Sequence, residues 1–459
     1  MKKIFEYVDQ NFERWVRELA DFCCCRSVAG DQQGLEETRK WIIHRMDAAN
    51  IPCRLYPVKG GNALLCAKIA GECGMDTPSL LFYNHYDVVE EGSRELWRNE
   101  PFRPRICEGS IYGRGVSDNK GPLLSRIQAI EAILAVTGKL PINVKFFIEG
   151  DEETGSPSLA YFSREQGTTF KELSKADVCL WENGRRDDEG RPWARFGVRG
   201  SVSFELAVET AKKDVHARMG TFVPSASWRL IWALASLKNA DERITIEGFY
   251  EDVLPITEND EKILNAFPYD EKAQLKKLGL NSFLRESTGL ELKKQIYMEP
   301  SMSVCGLEAG ELYKGPRGIV PHKASARLGF YLVANQTPDK VEQQLREHLK
   351  NQGFGDIKVT RRSGNIPVRT RTDIPLKSWL EKSAEKVYEK PLVVEPTALG
   401  GGPAIYFHQA WPQMPIVGVG PGNINGNHHA PNENLRLDDY KASIKHMIAL
   451  IYEMAEQKK

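Results

Sequence analysis

At 459 residues the chain is long enough for two or three domains and a substantial core. Lysine plus arginine and aspartate plus glutamate balance at 62 each, so a formal charge of zero gives no general pull toward nucleic acid or an anionic membrane. Hydrophobic residues at 41% and charged residues at 27% are ordinary for a soluble globular protein, and no run of about 18 apolar residues predicts a membrane span.

The first predicted element is an amphipathic helix. Ile4, Phe5, Val8, Phe12, Trp15, Val16 and Leu19 follow helical spacing with charges between them, which is not the continuous core of a signal peptide. It ends on Cys23-Cys24-Cys25, read as small buried apolar residues rather than metal ligands. The nine cysteines, without CxxC spacing, fit neither a zinc ribbon nor a disulfide framework, and reduced thiols in a cytoplasmic setting are expected. Residues 35–49 repeat the amphipathic pattern. Apolar runs at 63–69, 79–83, 142–148 and 177–181 read as strands, with an amphipathic helix at 123–136. This alternation predicts an α/β sheet with helices on its faces.

Near residue 198 the character changes. Residues 201–209 alternate Val202, Phe204, Leu206 and Val208 with other residues, the signature of a strand covered on one face. A helix at 224–238, strands at 324–333 and 356–360, and a helix at 338–351 complete a smaller α+β unit on an antiparallel sheet. Residues 247–300 are charged and weakly patterned, and read as a decoration of that unit. From about 368 the α/β character returns, with helices at 376–388 and 438–455 and an apolar run at 414–419. Three consecutive domains, or one α/β domain interrupted by an insertion, both fit this order.

The residues just past each apolar run carry the chemistry. His85 and Asp87 follow the second strand, Asp151, Glu152 and Glu153 the third, and Glu182 the fourth; His428 and His429 follow PIVGVG. Ligand sites of open α/β sheets form outside the carboxyl ends of the strands. Asp118, in GRGVSDNKG, joins the set from between a glycine-rich turn and a helix start. Mixed imidazole and carboxylate ligands suit zinc, manganese or cobalt. Two histidines, a bridging aspartate and two glutamates would give each of two metals three protein ligands, with room for a water and a free carboxylate as general base. GVGPG at 418–422 hints at dinucleotide binding, but the third glycine is misplaced and no helix signal follows.

HYDVV (85–89), GRGVSDNKG (113–121), EGDEETGS (149–156), LWENG (180–184) and HAPNEN (429–434) resemble, in order, the metal-site motifs of the dinuclear-zinc aminoacylase/carnosinase/glutamate carboxypeptidase family of metallopeptidases. The resemblance implies a phosphorylase/hydrolase-like catalytic domain with an inserted ferredoxin-like α+β lid, through which such chains commonly form homodimers. Carried over residue by residue, it makes His85 and Glu182 ligands of one divalent metal, Glu153 and His429 ligands of the other, and Asp118 the bridge. Asp87 would orient His85, and Glu152 would be the general base that activates the bridging water. His429, directly before A-P-N-E, is preferred over His428. His429 lies far beyond Glu182, so residues 198–367 are an insertion, leaving 1–197 and 368–459 as the discontinuous catalytic domain.

Within the insertion, His216 of DVHARMG matches the histidine that stabilises the oxyanion, although Ala217 and Arg218 depart from the usual Ser-Gly. Tyr331 stands where the family has an arginine for the substrate carboxylate. Arg327, on the same strand face, is a candidate substitute, and Gly402 replaces a hydroxyl residue that contacts substrate. The expected activity is a dipeptidase or other exopeptidase acting on a small peptide, with two zinc ions (manganese or cobalt as alternatives). An N-acyl-amino-acid deacylase with the same mechanism is the second reading. Neither nucleic acid nor a membrane is expected as a partner.

Overall fold

A computed structural model describes residues 1–72, 77–310 and 318–456. The chain divides into two compact units: Met1–Gly197, Thr370–Pro396 and Gly402–Lys459 form the first, Val198–Arg369 and Thr397–Gly401 the second.

The first unit is built on a mixed ten-stranded sheet. Its order begins Cys53–Tyr56, Leu64–Ile69, Asn143–Glu149, Ser79–His85, Val178–Trp181, Ile416–Gly418 and Pro192–Arg195. The four strands from Asn143–Glu149 to Ile416–Gly418 run parallel. They are buried on both faces, which is why they read as apolar runs rather than alternations. Their carboxyl ends therefore share one edge of the sheet, where His85 stands in register with Glu149. The glycines of GVGPG serve strand packing: a Cβ on Gly418 would lie 2.6 Å from the Asn183 carbonyl oxygen, and one on Gly422 2.6 Å from that of Gly184.

Helix Lys120–Thr137 packs against helices Lys2–Cys24 and Leu437–Glu456. Against the expectation of an amphipathic helix over 123–136, Arg126 and Gln128, which would stand on a polar face, are buried among hydrogen-bond partners. The triple cysteine is only in part as expected. Cys23 is buried, Cys25 half-buried and Cys24 exposed. The described cysteines are all free thiols, and Cys73 lies outside the described residues.

In the second unit four antiparallel strands run in the order Ser301–Ala309, Lys323–Leu332, Gly200–Glu209, Lys358–Asn365. Val202, Phe204, Leu206 and Val208 face a core shared with Ala326, Leu328, Phe330 and helices Ala226–Ser236 and Pro338–Asn351. Ser225 and Thr337 cap those helices by accepting the backbone N–H of Trp228 and Lys340. The opposite face of the sheet carries the exposed Arg327 and Tyr331. Within the weakly patterned stretch the chain forms helices Glu258–Ala266, Glu271–Leu278 and Gly289–Met298. Ser301–Ala309 escaped the sequence reading because only Met302 is buried along it, so no alternation marks it.

Candidate active site

His85 closes its strand with both ring nitrogens engaged. Nδ1 donates to the Asp87 carbonyl oxygen at 3.1 Å, with the Asp87 carboxylate at 3.4 Å. A carbonyl only accepts, so Nδ1 keeps its proton, and Nε2 is the ring nitrogen that faces the site. Nε2 lies 3.2 Å from Asp118 Oδ1 and 3.7 Å from Glu182 Oε2. The other Asp118 oxygen, Oδ2, is 3.3 Å from His429 Nε2, which is 3.1 Å from Glu153 Oε2. Asp118 thus lies between two imidazoles, each with a further carboxylate of its own.

Glu152 and Glu153 occupy a short turn, Glu152–Thr154, where the third strand has ended. The Glu153 N–H donates to Asp87 Oδ2 at 3.0 Å, so Asp87 steadies both this turn and His85. The ligand atoms of His85, Glu152 and Glu153 lie within 4.8 Å of one another, as do those of Asp118, Glu153 and His429. His428 turns aside: its Nε2 meets Ser117 Oγ at 2.8 Å, and its Nδ1 is 3.7 Å from Asp118 Oδ2.

Glu433, which no sequence pattern singles out, holds the Asp118 loop. The carboxylate of fully buried Glu433 accepts from Arg114 Nη1 at 2.8 Å and from the backbone N–H groups of Gly115, Ser117 and Asp118, each at 2.9 Å. It stands inside HAPNEN, but a solvated glutamate in an asparagine-rich turn looks the same in sequence. The Asp118–Asn119 peptide bond is cis. Gly115 at φ +84° occupies a conformation that side chains rarely adopt, and a Cβ there would lie 2.8 Å from Val88.

Charge in the site is unbalanced. Burial, reinforced by the Glu182 carboxylate, holds Glu152 well above the usual carboxylate range, and burial raises Glu182 to about 7. Burial also raises Glu149, although the Tyr83 hydroxyl donates to it. Burial pulls His85 down, but its bonds to Asp118 and Asp87 outweigh this and hold it well above the ordinary imidazole value. Asp118 and Glu153 raise His429 to about 10. Asp118, buried yet flanked by His429 and His85, lies well below the usual carboxylate range. Among the described residues, the buried oxygens Glu153 Oε1 and Glu182 Oε2 have no hydrogen-bond partner. Carboxylate oxygens left in that state are costly, and divalent cations bound by imidazole and carboxylate satisfy them. The residues fit such ions.

Four further candidates remain. Gly402, in the first unit, is close to Trp181, with the position of a Cβ 3.8 Å from its ring. His216, Arg327 and Tyr331 belong to the second unit and are exposed. His216 Nδ1 accepts the Arg218 N–H at 3.2 Å, which puts the ring proton on Nε2 as a donor. Arg327 pairs in register with Glu205 on the neighbouring strand.

Similarity to known proteins extends over most of the chain. The model of Peptidase family M20/M25/M40 matches residues 81–453. The chain is 26% identical over 484 residues to the Beta-Ala-His dipeptidase of Rattus norvegicus, covering 99% of this chain and 96% of that protein. It is 27% identical over 437 residues to the Cys-Gly metallodipeptidase DUG1 of Saccharomyces cerevisiae, covering 90% and 87%. Among solved structures, the M20 family metallo-carboxypeptidase Sso-CP2 from Sulfolobus solfataricus superposes with a TM-score of 0.84 at 31% identity, covering 96% of this chain and 99% of that one.

Proposed function

The chain belongs to Peptidase family M20/M25/M40, and we propose that it hydrolyses dipeptides at a two-metal centre held by His85, Asp118, Glu153, Glu182 and His429. Metal-dependent hydrolysis of a small peptide bond follows from that membership. The observation that carries the site assignment is Asp118, with Oδ1 3.2 Å from one imidazole and Oδ2 3.3 Å from the other. No helix among the described residues is long and apolar enough to cross a membrane.

Bound cations would lower the pKa of a water and polarise the scissile carbonyl. Glu152 takes the proton from the attacking water and returns it to the leaving amine. Its place in the turn directly before Glu153, beside the proposed metal ligands, suits a group that must accept and give back that proton. Asp87 keeps His85 Nε2 turned into the site. His216, with its proton on Nε2, is the donor proposed for the developing oxyanion. Zinc is the proposed metal, with manganese or cobalt compatible with the same donors. A cytoplasmic setting agrees with the free thiols.

The second unit supports a homodimer as the working form. Phe222, Trp228, Ile231 and Trp232 are 69%, 56%, 40% and 56% exposed, and the two tryptophans stack with ring centroids 5.8 Å apart. A stacked pair of exposed tryptophans, with exposed Ile231 on the same helix, is the kind of apolar surface that marks an interface. Tyr331, in the position where the family resemblance puts an arginine, favours the second reading, an N-acyl-amino-acid deacylase. Turnover of dipeptides against N-acyl amino acids separates the two, and a carboxypeptidase preference shows as release of C-terminal residues from longer peptides. Glu152→Gln is expected to keep both metals and to lose at least 10³-fold in kcat, within the range of general-base catalysis. Substantial residual turnover at full metal content removes Glu152 from the role.

A further inference from the structure

Behind Asp118 runs a line of buried amides. Arg126, fully enclosed in helix Lys120–Thr137, directs Nη1 to Asn84 Oδ1 at 2.7 Å. The Asn84 amide nitrogen donates to Asn119 Oδ1, that of Asn119 to Asn183 Oδ1 at 2.8 Å, and that of Asn183 to Asp118 Oδ1 at 2.9 Å. Asn84 and Asn119 are completely buried.

The direction of this line is fixed by its ends. Arginine has no acceptor and a carboxylate has no donor, so each amide can point its NH2 only toward Asp118. Turning any one of them sets two donors or two acceptors face to face. Arg126 is itself immobilised, because it also donates to the carbonyl oxygens of Tyr83 (2.6 Å), Trp181 (2.6 Å), Glu182 (3.2 Å) and Val419 (3.3 Å). One guanidinium therefore ties together the ends of the strands that carry His85 and Glu182 and the chain just past the Ile416–Gly418 strand.

We propose that Arg126, Asn84, Asn119 and Asn183 act as positioning residues that lock the orientation of the Asp118 carboxylate, so that its two oxygens face the two metal positions. Rotation of an aspartate carboxylate about its last bond is soft, and a bridging ligand must hold one angle. The Asn183 N–H sets that angle from a donor that cannot turn. The inference rests on the reading of Asp118 as the bridging ligand.

Asn84→Asp tests it with almost no change in volume. Aspartate still accepts from Arg126 but cannot donate to Asn119, so the line reverses and the Asn183 oxygen turns on Asp118. Dissociation constants for zinc, measured on the full chain by competition with a chromophoric chelator, are expected to weaken about tenfold or more. An added negative charge alone would tighten them, so weakening cannot come from charge. Asn183→Ala removes the last donor and should weaken binding at least as much, and the double variant no further, because both act through one bond. Should Asn84→Asp not fold, Asn183→Ala carries the test alone, judged with the melting temperature of the metal-free chain. Zinc affinity within twofold of wild type in a folded variant, or losses that add in the double variant, overturns the proposal. A wild-type chain that takes up no zinc overturns instead the two-metal reading.

Discussion

Replacing Glu433 by glutamine probes how the Asp118 loop is held. Oε2 accepts from Arg114 and the Gly115 N–H, and Oε1 from the N–H groups of Ser117 and Asp118, so both oxygens of this fully buried carboxylate are saturated. A glutamine can satisfy one pair of donors and must turn its NH2 on the other. Two buried N–H groups left without acceptors cost about 1–3 kcal/mol each. Counted differently, breaking a buried ion pair by removing one partner costs about 3–5 kcal/mol, and the Arg114 guanidinium is that partner. Both routes converge on about 4 kcal/mol. At about 2–3 °C per kcal/mol for a unit of this size, the metal-free chain should melt about 10 °C lower. Tryptophan fluorescence against temperature, with Glu433→Gln beside wild type, measures this, and zinc competition on the same samples should show weaker binding as Asp118 loses its backbone anchor. A melting point within 2 °C of wild type and unchanged zinc affinity would refute the reasoning.

Three further outcomes are expected. His446, buried with Nε2 3.0 Å from Ser383 Oγ, is pushed down from 6.5 to about 4 by burial. The unfolded chain binds this proton below pH 6.5 and the folded chain only near pH 4, so its contribution is complete above pH 6.5, falls by about 3 kcal/mol between those values, and is flat below them; urea melts of wild type and His446→Phe should differ in slope only in that window. Trp228→Glu with Trp232→Glu should convert a dimer to a monomer in analytical ultracentrifugation, and a wild-type monomer at micromolar concentration refutes the proposed interface. His216→Ala should lower kcat by about 10²–10³-fold with metal content unchanged, and an effect confined to KM removes the histidine from transition-state stabilisation.

The parallel strands were legible because burial on both faces leaves uninterrupted apolar runs, and His85, Glu153 and Glu182 could be read from where those runs stop. The covered face of Gly200–Glu209 was equally plain from its alternation. What escaped has physical reasons. Arg126 and Gln128 gave helix Lys120–Thr137 a polar stripe in sequence, whereas the structure buries both among hydrogen-bond partners. Glu433 and the three asparagines act through partners up to 319 positions away, a pairing that no local pattern encodes. Ser301–Ala309, exposed at nearly every position, had no hydrophobic period to detect.

The place of Ile416–Gly418 in the sheet bears on synthesis. It lies between Val178–Trp181 and Pro192–Arg195, yet a ribosome makes it more than 200 residues after either. Until it emerges, the first unit has a gap in its middle and two bare strand edges, and the chain still lacks His429. A nascent chain of this kind is exposed to edge-to-edge association for the whole time the second unit is being made. At about 5–20 residues per second that interval is roughly 10–40 s. A premature stop after residue 195 and before residue 416 would leave the gap permanently open, so such fragments should aggregate rather than accumulate as inactive, folded pieces.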